Sequence, residues 1–204
     1  MKLFKIGLMF IFLVFFVGCN DVSKIVEEDV AYEVKTSNLK DVEILLDRFN
    51  RLPVSLLSSV VYDREKEELI FKRGVPDEEL VEFMAMTYGK PAIYSDEDPT
   101  IYLTNQHIKL ASASDNADSI FIQLGLTDEG LEQLHKIIYP LGKVITVKLD
   151  EDVIARALVK QDLGKYFEVP FAGDGNLERA EQLAVLIESA TLSEPVLVEK
   201  IFRK

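Results

Sequence analysis

The sequence has very few of the residues that bind zinc or form disulfides. Its 204 residues include one cysteine, two histidines and no tryptophan. A single cysteine cannot form an intramolecular disulfide, so stability in an oxidising compartment has to come from packing. A zinc site needs three or four ligands at tight spacing, and His107 and His135 lie far apart in the sequence. We expect both histidines to be surface or half-buried side chains.

No familiar catalytic motif is present either. The sequence contains no Gly-x-Ser-x-Gly elbow, no glycine-rich phosphate loop and no His-Glu-x-x-His. Asp174-Gly175-Asn176 offers alternate oxygen ligands, but Val185 stands where a calcium-binding EF-hand needs its glutamate. The acidic runs 96–98 and 150–152 are interpreted as solvated loops. We therefore predict no enzyme, no cofactor and no metal, with a catalytic site assembled only on folding as the alternative.

Basic residues are scarce relative to acidic ones. Lys and Arg number 23 against 35 Asp and Glu, for a formal net charge of -12. Loss of residues 1–18 would remove Lys2 and Lys5 and no acidic residue, which leaves 21 basic residues and a net charge of -14. This charge disfavours nucleic acid and bare anionic lipid headgroups as partners, because phosphate binding needs the opposite sign.

The chain begins like a secreted protein. Lys2 and Lys5 precede an apolar run from Ile6 to Val17, which is 12 residues long and is interrupted by Gly7. A membrane-spanning helix needs about 20 apolar residues, so this length is typical of a signal peptide. No second long hydrophobic run follows, so we expect nothing beyond the N-terminus to enter a bilayer.

The apolar run ends in Phe16-Val17-Gly18-Cys19, which resembles the lipobox of bacterial lipoproteins. Phe16 stands where that motif usually has leucine. The resemblance implies that residues 1–18 are removed and that Cys19 receives lipid, which tethers the chain to a membrane of the cell envelope. The protein would then face the periplasm or the exterior. Asn20, in the position after the cysteine, favours the outer membrane if the host has one.

The rest of the chain is predicted to be an α+β protein in two parts. Residues 19–29 form a polar tether, 30–100 a base-like α+β subdomain, 101–195 a head-like α+β subdomain, and 196–204 a returning C-terminal strand. In the base, periodicity predicts a strand, a helix, a hairpin, a helix and a strand, which is the skeleton of a ferredoxin-like unit. These elements are Val30–Val34, Leu39–Leu52 capped by Ser37 or Asn38, Leu56–Tyr62 with Glu68–Lys72, Asp77–Tyr88 with Phe83 on its apolar face, and Lys90–Tyr94.

The acidic segment Ser95–Pro99 is interpreted as the boundary loop between the two parts. Beyond it, the pattern predicts two further helices, capped by Thr127 and Asn176. Strands are predicted from the alternation of apolar and polar residues. They are Ser119–Leu126, Lys143–Leu149, Val153–Val159, Tyr166–Phe171 and Val196–Phe202.

Several segments resemble the first periplasmic domain of the SecD protein-export family. The similarity extends over about 30–202 and is strongest from 119 onward. The matching segments are Leu126–Gly130, Leu141–Lys143, Val147–Asp150, Leu163–Gly164, Glu178–Ala184 and Leu192–Val196, with Leu46–Leu52 and Tyr102–Ile108 upstream. The family continues into membrane helices that couple proton flow to export, and the resemblance implies that this chain has the exported part without that motor.

The sequence departs from the family pattern at four positions. Glu151 stands in place of a glycine, Arg156 and Ala157 replace a small residue and a proline, and Ser193 replaces a proline. Glycine is favoured where a turn needs a positive φ, so we expect the turn after Leu149 to have changed its type.

The resemblance implies a polypeptide-binding or accessory role in protein export or envelope assembly. An extended client would add a strand to a free sheet edge, or lay its side chains on an apolar face between head and base. The run Ile120–Leu124 is one candidate edge, although burial in the core is the favoured interpretation. The alternative is an adaptor that docks on one folded envelope partner.

Overall fold

The computed structural model describes residues 30–36, 38–53, 59–72, 77–116, 119–172 and 176–201. Over these ranges the fold is α+β, as predicted, with three antiparallel sheets. Its helices are α1 (Leu39–Arg51), α2 (Glu78–Met86), α3 (Asp128–Ile138) and α4 (Leu177–Glu188), with a 3₁₀ turn at Asn105–His107. Its strands are β1 (Val30–Lys35), β2 (Ser59–Asp63), β3 (Glu68–Lys72), β4 (Pro91–Ser95), β5 (Asp98–Leu103), β6 (Ile108–Asn116), β7 (Ser119–Leu126), β8 (Val144–Leu149), β9 (Asp152–Leu158), β10 (Tyr166–Pro170) and β11 (Leu197–Ile201).

The first sheet has the strand order β11-β1-β3-β2 and carries α1 and α2. The chain order β1-α1-β2-β3-α2-β11, with every neighbouring pair antiparallel, is that of a ferredoxin-like unit. We call these six elements the base. Their core is aromatic, with the ring of Phe71 in edge contact with those of Tyr32 and Phe49.

The strand that closes the base differs from the sequence prediction. Lys90–Tyr94 was expected to close it, but Pro91–Ser95 pairs with β5 and β8 in another sheet. The closing strand is β11, near the end of the chain, where Val198 pairs with Val34. Both segments have strand-like sequences, and local periodicity cannot tell which of them lies beside β1.

The head is the insertion between α2 and β11, running from β4 through α4. It contains the sheets β5-β4-β8-β9 and β10-β7-β6. Helix α3 packs on the first of these sheets and α4 on the second. Buried side chains of head and base belong to one continuous hydrophobic cluster, to which each of the described α-helices and strands contributes. The division near residue 100 stays a prediction.

Strands β5 and β6 were not predicted from the sequence, and the segment Ser95–Pro99 proves to be the β4–β5 hairpin, with an irregular register between Tyr94 and Ser95. Asp96 in this hairpin is not simply solvated, because its carboxylate accepts hydrogen bonds from Thr146 Oγ1 and from Arg156 Nη2 at 2.7 Å. Asp96 and Glu97 are exposed in this turn, as expected for a solvated loop, and Asp96 in addition binds two side chains of the neighbouring strands.

The predicted helix caps are confirmed. Asn38, Thr127 and Asn176 each accept a hydrogen bond from a backbone N–H in the first turn of the following helix. The first turn of α3 also lies close to the backbone of His107. A Cβ atom at Gly130 would lie 2.4 Å from the carbonyl oxygen of His107, so this position needs glycine.

Candidate functional site

Two chain segments connect the base to the head, and Arg48 of the base holds them together. Residues 87–90 lead out of α2, and residues 189–196 lead back from α4 to β11. The side chain of Arg48 is fully buried and donates to the carbonyl oxygens of Met84, Thr87, Tyr88 and Ala190 and to Ser189 Oγ. Burial lowers the pKa of Arg48 to about 10, opposed by Asp150 and Asp41.

Two carboxylates complete this junction. Asp41 at the start of α1 is buried and accepts hydrogen bonds from the backbone N–H and the hydroxyl of Ser193. Asp150, in the β8–β9 turn, accepts from the backbone N–H of Lys90 at 2.9 Å. Asp150 has a φ of 54°, which lies in the left-handed region. The turn after Leu149 thus has its left-handed residue at Asp150. The interpretation of Asp150 as simply solvated was therefore wrong.

A cleft of about 800 Å³ opens beside this junction, between α2 of the base and the head. Its walls carry apolar side chains on both sides, including Met86 of α2 and Val153 of β9, which are 50% and 47% exposed. Leu149, Phe171 and Leu183 also contribute to the lining. The cleft thus has apolar side chains on both of its walls, and binding of a client there stays a prediction.

Acidic groups surround this apolar surface. The lining includes the carboxylates of Glu79, Glu82, Asp150 and Asp152, against one guanidinium, that of Arg179. Arg179 lies in the first turn of α4 in the head, and its guanidinium stacks on the ring of Phe83 in α2. Desolvation lowers the pKa of Arg179, and the negative charge of Asp152 opposes this shift. The cleft therefore combines an apolar lining with a negative local charge.

One wall of the cleft continues into a sheet edge that, among the described residues, is unpaired beyond Ile154. Strand β9 lies at the edge of its sheet, and the carbonyl oxygen of Ile154 accepts from the N–H of Ala172, just beyond β10. The N–H of Val159 donates to Lys143 on the inner side, and the backbone groups of successive strand residues point to alternate sides, so the N–H and C=O groups of Arg156 and Leu158 face outward. Pro170 lacks an N–H and faces β9 from β10, so it cannot extend this pairing.

The candidate edge at Ile120–Leu124 is not an edge. Strand β7 is the central strand of its sheet, paired with both β10 and β6, and Ile122 and Leu124 are 0% exposed. The favoured interpretation of this run as core is confirmed, and strand addition there is excluded because the backbone groups of β7 are already paired on both sides.

The two histidines lie apart from the cleft. His107 is more buried than predicted, and its Nδ1 accepts from the N–H of Thr104. His135 is half exposed, as predicted, with Asp162 at 3.4 Å. Within the described ranges, no group of three or more His, Cys, Asp or Glu side chains is arranged to hold a metal ion.

Other predicted residues fall outside the structure described here. The signal peptide, Cys19, Asn20 and the tether lie before residue 30, and Asp174 and Gly175 lie in another undescribed segment. Among the described helices, none has the length and hydrophobicity needed to span a bilayer.

Solved structures that resemble this fold include structures of SecDF. A structure of SecDF, described as a membrane component that enhances protein export, has a TM-score of 0.56 at 16% identity and covers 86% of this chain and 100% of that chain. The chain has a SecD-like fold. A second structure, SecDF in a super-membrane-facing form, has a TM-score of 0.58 at 15% identity, and the match covers 83% of this chain and 29% of that one.

The sequence itself matches no model of a known protein family and none of the curated proteins. The likeness to SecDF therefore rests on the shared fold, which confirms the resemblance seen in the short segments. Met86 and Val153 were not singled out from the sequence, because they continue ordinary helix and strand patterns and carry no local signal of their exposure.

Proposed function

We propose that the chain is a membrane-anchored accessory protein that binds extended polypeptide segments in the cleft between head and base, in protein export or envelope assembly. The observation that carries this proposal is the pair of exposed apolar side chains, Met86 and Val153, on opposite walls of one cleft. Apolar side chains on two facing walls give an extended segment a place to lay its own apolar side chains. The SecD-like fold supports an export-related role, since a similar structure is described as enhancing protein export.

The proposed mode of binding is an extended segment that lies along β9. The outward backbone groups of Arg156 and Leu158 supply hydrogen bonds to a main chain, and the neighbouring cleft receives alternate side chains. Main-chain pairing is tolerant of sequence, which suits a protein that meets many unfolded clients.

The proposed anchor is lipid on Cys19. Its support is the sequence Phe16-Val17-Gly18-Cys19 after an apolar run too short to span a bilayer. Mass spectrometry of the mature N-terminus tests this anchor, with Cys19→Ala as the comparison. We expect a lipid-modified Cys19 as the first residue, and an intact Met1 or an unmodified thiol would contradict it.

Capture of unfolded polypeptides tests the binding role. The chain from Val22 to Lys204, immobilised on beads, is expected to retain a permanently unfolded protein better than an inert acidic control protein does. Val153→Asp is expected to weaken this retention, because it places a charge in the apolar wall. Leu197→Asp is the matched control, since Leu197 is 49% exposed and lies outside the cleft lining. Equal retention of the unfolded protein by the wild-type chain, Val153→Asp and Leu197→Asp would contradict the proposal.

A second candidate function is an adaptor that docks on one folded envelope protein. It is favoured by a row of side chains across one face of the sheet β5-β4-β8-β9, formed by Tyr102, Tyr94, Thr146 and Arg156 in register. Tyr102 is exposed there, and aromatic and arginine side chains are common in protein interfaces. Purification from detergent extracts distinguishes the two roles, because an adaptor returns one stoichiometric partner and a client-binding protein returns many.

A further inference from the structure

The carboxylates around the cleft are of two kinds. Asp150 is already engaged, because it accepts hydrogen bonds from the backbone N–H groups of Gly89 and Lys90. The carboxylates of Glu79, Glu82 and Asp152 have neither a hydrogen bond nor an ion pair to any part of the chain that the structure describes. These three charges contribute nothing to the fold through a direct contact, and they face the same open space as the apolar walls.

Arg179 is the one cation among the described residues of the cleft lining, and a single positive charge leaves most of this negative charge uncompensated. The guanidinium of Arg179 lies over the ring of Phe83 and donates to Gln182 Oε1 at 3.2 Å. Its position is thus set by the stacking contact and by its own helix. The space between α2 and β9 keeps an excess of negative charge beside Met86 and Val153.

From this arrangement we infer that the cleft selects polypeptide segments in which basic residues flank apolar ones. This inference rests on the proposed function and names the class of client. Apolar side chains of the segment contact Met86 and Val153, while a neighbouring lysine or arginine lies against Glu79, Glu82 or Asp152. An acidic segment of equal hydrophobicity meets like charge at the same positions and is rejected.

Exposed ion pairs are individually weak, so the expected selectivity is moderate. Each contributes little in water, and two basic residues set against the three carboxylates give a preference of about tenfold over an uncharged segment at low salt. The preference decreases at high salt, because the Debye length becomes shorter than the spacing of the charges. The apolar part of the interaction remains.

Three synthetic peptides of equal length and apolar content test the inference. They carry lysine, glutamine or glutamate at the same two positions beside a central apolar run. Binding to the full-length protein in nanodiscs of zwitterionic lipid is measured by fluorescence anisotropy, with empty nanodiscs subtracted. We expect the lysine peptide to bind about tenfold more tightly than the glutamine peptide, and the glutamate peptide to bind most weakly.

A charge variant assigns the selectivity to the cleft. The triple substitution Glu79→Gln, Glu82→Gln and Asp152→Asn is expected to reduce the affinity for the lysine peptide to that for the glutamine peptide. A control with the same change in net charge, Glu65→Gln, Glu129→Gln and Glu132→Gln, lies outside the cleft lining and is expected to keep the preference.

The outcomes separate the two proposals. Equal affinity for all three peptides would overturn the inference and leave the polypeptide-binding function in place. A lysine preference that the cleft variant and the control lose equally would overturn the inference as well, since net charge would then explain it. Binding of none of the peptides would overturn the proposed function together with the inference.

Discussion

The guanidinium carbon of Arg179 lies 3.5 Å from the centroid of the Phe83 ring. This contact joins the first turn of α4 in the head to α2 in the base, at one side of the cleft. It therefore helps to fix how far the two walls stand apart, and it makes the cleft partly preformed in the absence of a client.

A double-mutant cycle between Arg179→Ala and Phe83→Leu measures this contact. We expect a coupling energy of about 0.5–1 kcal/mol in the free energy of unfolding, as for cation–π pairs that are partly exposed to solvent. Urea unfolding of the four proteins supplies the measurement. If the effects of the two substitutions on the free energy of unfolding are additive, the stacking contact contributes nothing to stability.

The junction between head and base is expected to depend on Arg48. Arg48→Ala leaves four carbonyl oxygens and Ser189 without their donor and opens a cavity, so we expect a loss of about 3–5 kcal/mol in the free energy of unfolding. Arg51→Ala in the same helix is the control. It removes ion pairs to Asp47 and Glu188 at the surface, with an expected cost of about 0–1 kcal/mol. Similar losses for the two variants would contradict the assigned role of Arg48.

Gly130 is expected to resist replacement although it lies in a helix. Alanine normally stabilises a helix interior by about 1 kcal/mol relative to glycine, but here the new Cβ atom would collide with the backbone of His107. Gly130→Ala should therefore lower the free energy of unfolding by about 1–3 kcal/mol. Gly164→Ala has open space around it and should be nearly neutral. A stabilising effect of Gly130→Ala would show that the turn at His107 moves freely.

The buried hydroxyl of Tyr32 is expected to make the free energy of unfolding depend on pH. Its hydroxyl is buried without a hydrogen-bond partner in the described part of the chain. Burial, with smaller contributions from Glu78, Asp77 and Glu82, raises the pKa of Tyr32 to about 12. The folded state thus favours the neutral phenol over the charged phenolate. The resulting stabilisation of the folded state is complete below the ordinary pKa of about 10, and it is lost as the pH rises through the folded-state pKa.

Tyr32→Phe should remove this loss. At neutral pH the variant should be as stable as the wild type or more stable by about 1 kcal/mol, because the deleted hydroxyl made no hydrogen bond. Above about pH 10 the wild type should lose stability relative to the variant. Urea unfolding over this pH range provides the comparison. A lower stability of Tyr32→Phe at neutral pH, or parallel pH profiles, would contradict the account.

The features that the sequence predicted are those set by nearby residues. The caps at Thr127 and Asn176 depend on a side chain and a backbone N–H two or three positions away. The helices follow from a periodicity visible within a few turns. The α+β class and the ferredoxin-like base follow in turn, because the order of elements restricts the possible topologies.

What the sequence did not predict depends on contacts between distant segments. The choice of β11 over β4 as the closing strand is set by pairing such as Val34 with Val198. Phe83 was placed on the apolar face of its helix, yet it lies at the cleft beneath Arg179 instead of in the core with Leu80 and Met84. The carboxylate of Asp150 caps a segment of the chain far from it in sequence. Such relationships appear only once the chain has folded.

The central claim is that polypeptide binds in the cleft between head and base, and a fluorophore at Met86 tests it most directly. The chain from Val22 to Lys204 contains no cysteine, so Met86→Cys and Leu197→Cys each introduce a single thiol at sites of nearly equal exposure, 50% and 49%. An environment-sensitive fluorescent dye is attached to each thiol, and an unfolded protein is then added. We predict a saturable change in fluorescence of the dye at position 86 and no change at position 197. No change at position 86, or equal changes at both positions, would contradict the account.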